Sequence, residues 1–146
     1  NSYFDFFSSA GEAYDIALCL NVLHHLGDDF GDQLIAIGDA KKEIIRAINS
    51  MAGQCSQMWF QLGYNWKGSR DLPLFSNGLK SEVIEFISDG IRSDWVIDSI
   101  AIYNPECGEY QPSSAPLLAR FESIGEFMNR PLFLLRSQRL NEQVVR

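Results

Sequence analysis

The run Tyr14-Asp15-Ile16-Ala17-Leu18-Cys19-Leu20 constrains the fold more than any other part of the sequence. It is short and almost continuously apolar, the pattern of a strand covered on both faces, as in a parallel sheet. After the turn-rich segment Gly27-Asp28-Asp29-Phe30-Gly31, apolar residues recur at helical spacing: Leu34, Ile35, Ile37, Ala40, Ile44, Ile45 and Ile48. Asp39, Lys42, Glu43 and Arg46 make the polar face of this long amphipathic helix. Gly53 is a candidate left-handed C-terminal residue for this helix, and Gln57-Met58-Trp59-Phe60-Gln61-Leu62 reads as the next strand. Strand, long helix and strand in that order predict a parallel pair joined by a right-handed crossover.

The same alternation continues downstream. A loop from Gly63 to Phe75 leads to Ser76, a candidate cap for a helix bearing Leu79, Val83, Phe86 and Ile87 and ending near Gly90. Trp95 to Tyr103 is β-branched and aromatic, a third strand stopped by Asn104-Pro105. Residues 104–116 read as loop, Leu117, Leu118, Phe121, Ile124 and Met128 as a further amphipathic helix, and Pro131 to Arg136 as the last strand. The expected organisation is one partial domain over residues 1–146, with an insertion at 104–130 and a frayed polar tail at 137–146.

Charge and cysteine content narrow the function classes. The 146 residues hold 12 Lys and Arg against 19 Asp and Glu, a net charge of -7, and no basic cluster is longer than Lys41-Lys42. Such a surface repels a phosphate backbone, so direct nucleic-acid binding by this chain is not expected. Cys19, Cys55 and Cys107 are odd in number and widely spaced, which argues against a disulfide framework or a zinc site and for a reducing, cytoplasmic setting. The sequence has neither a signal-peptide pattern nor an apolar run of membrane-spanning length. It opens at Asn1 directly against structured-looking sequence, which reads as an internal fragment.

The segment Tyr14-Asp15-Ile16-Ala17-Leu18-Cys19-Leu20-Asn21-Val22-Leu23-His24-His25-Leu26 resembles the fourth strand and following loop of class I S-adenosylmethionine-dependent methyltransferases. There an aromatic-Asp pair opens an apolar strand that ends in a polar residue and a histidine-bearing turn. The downstream order is similar too, with Arg130-Pro131-Leu132-Phe133-Leu134-Leu135 in the place of the closing antiparallel strand. The resemblance implies an α/β fold: the C-terminal half of a Rossmann-like sheet, mostly parallel strands with an antiparallel closing strand and helices on the faces. The likeness is specific over residues 14–26 and looser over the rest. Glu106, Glu109 and Tyr110 lie in a segment longer than the family's usual link between its last two strands.

The family binds its cofactor with a glycine-rich loop after the first strand and an acidic residue after the second. Neither is present: Gly11 is the only glycine before Tyr14, and no Gly-x-Gly stands near a strand-to-helix junction. The resemblance therefore implies S-adenosyl-L-methionine as cofactor of a longer parent, with this fragment retaining the wall beside the methionine portion and being inactive alone. Residue by residue, Leu20 and Asn21 match the cofactor-bordering strand end, and His24 and His25 match positions facing the transferable methyl and the acceptor. An imidazole there orients a nucleophile or takes its proton. Some relatives hold a metal with two carboxylates and a histidine at this spacing, and Asn21 and His24 break that oxygen set, so no metal is expected.

Tyr64, Trp66 and Arg70, with Asn65 and Lys67, fall where the family builds acceptor sites, and they are the substrate-binding candidates. Each assignment has a plainer alternative: a turn residue bonded to its own backbone for Asn21, loop histidines bonded to backbone for His24 and His25, and aromatic residues capping a core for Tyr64 and Trp66. The acceptor is a small molecule or a carrier-bound group, its identity open. A contrasting expectation is a non-catalytic interaction module: if Tyr14–Leu20 lacks a neighbour, its exposed edge or the helix faces favour a homodimer. A dehydrogenase-like or nucleotide-binding fragment ranks last, because no glycine turn with a downstream acid follows a strand.

Overall fold

The computed structural model describes residues 13–120 and 126–141. Its centre is one five-stranded sheet with the order β1-β2-β5-β3-β4, formed by β1 (Tyr14–Leu20), β2 (Cys55–Gln61), β3 (Trp95–Asn104), β4 (Glu109–Pro112) and β5 (Leu132–Ser137). Helices α1 (Ile37–Met51) and α2 (Lys80–Ile91) connect the first three strands, and the short α3 (Ala115–Ala119) and α4 (Gln138–Asn141) flank β5 in sequence. The protein is thus mixed α/β. Among the described residues no helix is long and apolar enough to cross a membrane.

β1 and β2 pair in parallel, as the strand-helix-strand pattern predicts. The expectation of a mostly parallel sheet is corrected at the level of pairing, since the other three contacts are antiparallel. The cause is the position of β5. It sits between β2 and β3 and opposes both, so β1, β2 and β3 share a direction although β3 touches neither of the others. A hairpin then returns β4 along β3, with Tyr103 opposite Tyr110 and their rings 5.7 Å apart.

Register places Cys19, Phe60 and Phe133 side by side on one face, with Met58 and Leu135 paired on the same side. Together with Ile44 and Ile48 of α1 and Val83 and Ile87 of α2 they form the core, all of them buried. The two helices meet closely at Gly90, where an added Cβ would crowd the Ile45 side chain and force it to shift. Trp95 closes one end, its indole N–H donating to the Ile48 carbonyl at 3.0 Å.

The opposite face corrects the expectation that the first strand is covered on both sides. Side chains alternate along a strand, and Tyr14, Ile16, Leu18 and Leu20 all emerge on the side away from the core, with Leu18 70% exposed. Among the described residues β1 is an edge strand, and the core that α1 and α2 build lies on its other side. The same face is half-buried along Trp59 of β2 and Leu132 and Leu134 of β5.

Element boundaries shift for identifiable reasons. α1 begins at Ile37, not Leu34, because Asp32 accepts the Leu34 N–H at 2.9 Å and leaves Leu34 in an exposed turn. α2 begins at Lys80, with Leu79 rather than Ser76 at its N-terminal boundary. Glu82 folds back to accept the Leu79 N–H at 3.0 Å, the carboxylate half of a capping box. The helix expected over Leu117 to Met128 is cut short: α3 stops at Ala119 and Arg120 is extended, while Phe121 and Ile124 fall outside the described residues. The insertion also contains β4, where loop was expected, and α4 covers the first residues of the tail.

Candidate functional site

Open α/β sheets present ligand sites beyond the carboxyl ends of co-directional strands, and the candidate residues gather at those ends of β1 and β2. Asn21 follows β1 with φ 60, a left-handed conformation that Asn adopts more readily than most side chains. Its backbone N–H donates to the Gln61 carbonyl at 2.9 Å. Its side-chain amide is used on both atoms, donating to Gln61 Oε1 at 2.8 Å and accepting from Arg130 at 2.7 Å. Leu20, one residue earlier, stays exposed.

The left-handed turn leads into a single 3-10 turn, Leu23–His25. The two histidines diverge in environment although their rings lie 4.3 Å apart. His24 is 3% exposed, its ring against Gly63, where a Cβ would lie 2.7 Å from the imidazole. The Gly63 N–H donates to its Nδ1 at 3.3 Å, which places the imidazole proton on Nε2. Burial, then the neighbouring His25 and Arg130, lower its pKa to about 4, so it is neutral at pH 7. His25 is partly exposed, and its Nδ1 lies 3.4 Å from an Asp29 carboxylate oxygen without a hydrogen bond.

The loop after β2 divides the substrate-binding candidates. Tyr64 and Trp66 are buried, with Tyr64 edge-on to Phe75 and the Trp66 indole donating to the Leu26 carbonyl at 2.6 Å. Arg70 is exposed. Tyr64 also lines a cavity of about 240 Å³ shared with Asn65, Gly78, Lys80, Glu126 and Asn129, and its hydroxyl donates to the Asn129 carbonyl at 2.9 Å. The structure thus gathers Leu20, Asn21, His24 and His25 around the two strand ends. Tyr64 and Trp66 pack in the loop beside them.

Sequence reading missed the polar residues that tie this region together. Glu126 accepts from the Tyr64 N–H at 3.2 Å, from Asn65 at 2.7 Å and from Arg130 at 2.7 Å. Burial pushes its pKa up, but these bonds and the Arg130 charge outweigh that and hold it below the usual carboxylate value. Gln61, 4% exposed, donates to the Arg130 carbonyl at 2.9 Å and to the Tyr110 hydroxyl at 3.1 Å. Asp29 stood within reach of inspection, four residues after His25. Gln61, Glu126 and Arg130 carried no local signal, because the partners they meet are distant in sequence.

Among the described residues no group of three or more His, Cys, Asp or Glu side chains is placed to hold a metal ion. Comparison with protein-family models, curated proteins and solved structures finds no match to this chain. Fold and site together define a mixed α/β protein with a polar, histidine-bearing cluster beyond the ends of two parallel strands.

Proposed function

We propose that this chain is the C-terminal half of a Rossmann-like class I methyltransferase, which transfers a methyl group from S-adenosylmethionine to a small-molecule or carrier-bound acceptor. The observation that carries the reading is the sheet: three co-directional strands and a closing strand antiparallel to its neighbours, with the Tyr14–Leu26 resemblance falling on β1 and the turn beyond it. The glycine-rich loop would come from outside these residues, and the chain alone is expected to be inactive, since half of a pocket forfeits the preformed contacts that offset the cost of binding.

In this reading Leu20 and the backbone of Asn21 border the methionine portion of the cofactor, because the Asn21 side chain is already occupied. His25 is the group that meets the acceptor. It is partly exposed, and an imidazole in that place can meet the acceptor directly. His24, neutral and bound through Nδ1, keeps the turn in place. Methyl transfer from a sulfonium needs chiefly in-line placement of the acceptor, whose proton leaves as the new bond forms. Calorimetric titration with S-adenosylmethionine and its demethylated product tests this in the longer polypeptide and in these 146 residues. Binding by the longer polypeptide and none by the chain alone is expected, and a folded longer polypeptide that binds neither compound overturns the reading.

A second reading is favoured by the apolar stripe on β1. Tyr14, Ile16, Leu18 and Leu20 on a strand that is at the sheet edge among the described residues suit a non-catalytic interaction module that forms a homodimer. Sedimentation of wild type and of Leu18→Lys tests it: a dimer that the substitution dissociates supports association, and a wild-type monomer at high concentration removes it.

A further inference from the structure

Asn21 and Lys67 are the two non-glycine residues with positive φ among those described. Asn21 is the one at the strand end, and its conformation sets the direction in which the chain enters the Leu23–His25 turn. A closed ring of hydrogen bonds surrounds it. The Asn21 side chain donates to Gln61 Oε1, the Gln61 amide nitrogen donates to the Arg130 carbonyl, and the Arg130 guanidinium donates to Asn21 Oδ1, at 2.8, 2.9 and 2.7 Å. The guanidinium's second terminal nitrogen donates to Glu126, which in turn holds Tyr64 and Asn65. Arg130 stands just before β5, so one side chain joins the end of β1, the start of β5 and the loop after β2.

The ring is mostly shielded, with the Arg130 side chain 11% exposed and Gln61 4% exposed. Water therefore replaces its bonds poorly, and removal of one member leaves the others unsatisfied. Without Arg130 the Asn21 Oδ1 loses its donor and the left-handed turn one of its ties, whereas glycine takes the same φ with no side chain to satisfy.

We propose that Arg130 is a positioning residue, whose bond to Asn21 holds the left-handed turn that sets the His24-His25 turn over the ends of β1 and β2. What His25 then meets rests on the methyltransferase reading, but the positioning is measurable without cofactor. Arg130 reaches the turn through its bond to Asn21, and its charge is also felt at His24.

The test is hydrogen exchange and imidazole titration by NMR on the full chain, comparing wild type, Arg130→Gln, Asn21→Gly and the double variant. In wild type the Asn21, His25 and Leu26 N–H groups donate to Gln61, Val22 and Leu23 carbonyls. Arg130→Gln is expected to lower their protection by about tenfold or more, the loss of one charged hydrogen bond, while the β3 amides remain protected. The His24 titration, which His25, Arg130 and Glu126 all influence, is expected to move upward because the nearby cation is gone. Adding Asn21→Gly is expected to restore part of the protection, because glycine keeps the left-handed turn although Gln61 Oε1 loses its donor, but not the titration, a split that a general loss of stability does not produce. Unchanged protection in Arg130→Gln overturns the proposal, as does a double variant no better protected than the single. Should Arg130→Gln not fold, recovery of a folded chain by the added Asn21→Gly supports the proposal and its failure overturns it. Cofactor titration is a separate measurement, so absence of cofactor binding with the rescue intact counts against the methyltransferase reading alone.

Discussion

The two faces of the sheet are built from the same strands, yet only one of them is a core. On the helix-bearing face Cys19, Phe60, Phe133 and Leu135 are buried against α1 and α2, while on the other side of β1 Ile16 and Leu18 stand in solvent. Alternation along a strand thus assigns side chains to faces without saying which face is covered. Coverage depends on where the connecting helices lie. An apolar run that looks twice-buried in sequence is half-buried here because β1 is at the edge and both connections approach from one side.

The strongest way to break this comparison is to truncate one residue on each face. Phe60→Ala is expected to cost about 3–5 kcal/mol, the range for a large aromatic removed from a packed interior. Leu18→Ala is expected to stay within about 0.5 kcal/mol, as for an exposed site. Urea denaturation of both variants gives the two values on one scale, and similar costs would mean that the β1 face is covered in solution.

The next effect concerns the turn beyond β1. The folded chain keeps His24 neutral down to about pH 4, whereas the ordinary value in the unfolded chain is 6.5. The unfolded state therefore binds more protons in that window, and stability falls as the pH drops from 6.5 towards 4. The loss is on the order of 2–3 kcal/mol, and denaturant melts across that range check it. A flat profile would show that the imidazole is not buried in the folded chain.

Thiol chemistry sharpens the contrast at smaller scale. Cys19 and Cys55 are buried, and burial raises their thiols to about 12 and about 11, whereas Cys107 is exposed. Labelling with a disulfide reagent at pH 8 should modify Cys107 first and the other two at least about tenfold more slowly. A further small effect is expected of Arg136→Ala on the open face. Its guanidinium holds Asp98 by bonds of 3.0–3.1 Å in a partly exposed setting, so less than about 1 kcal/mol is expected in the same melts.

Local chemistry made some elements legible and tertiary pairing hid others. β1 runs over the expected Tyr14–Leu20, because a dense apolar run bounded by turn residues has few other readings. The body of α1 follows from its spacing, and its start does not, since Asp32 intercepts Leu34. β4 was invisible: Glu109-Tyr110-Gln111-Pro112 has no apolar alternation, and pairing with β3 makes it a strand. Nothing in Leu132–Ser137 states that it inserts between β2 and β3. At the site, Asn21, His24 and His25 were found through a short contiguous segment. Their partners Gln61 and Arg130 lie 40 and 109 residues from Asn21, and only the fold brings them together. Tyr64, Trp66 and Arg70 read as substrate-binding candidates; Tyr64 and Trp66 are buried, with Tyr64 on a cavity wall, and Arg70 is exposed.

The most direct test of the central claim is NMR mapping of the demethylated cofactor on the longer polypeptide, with residues 14–26 and 61–64 assigned. The methyltransferase reading predicts saturable shifts at Leu20, Asn21 and His25, with the amides of β4 and α4 unmoved. Shifts confined to other parts of the sheet, or none at a concentration that saturates known binders, would contradict it.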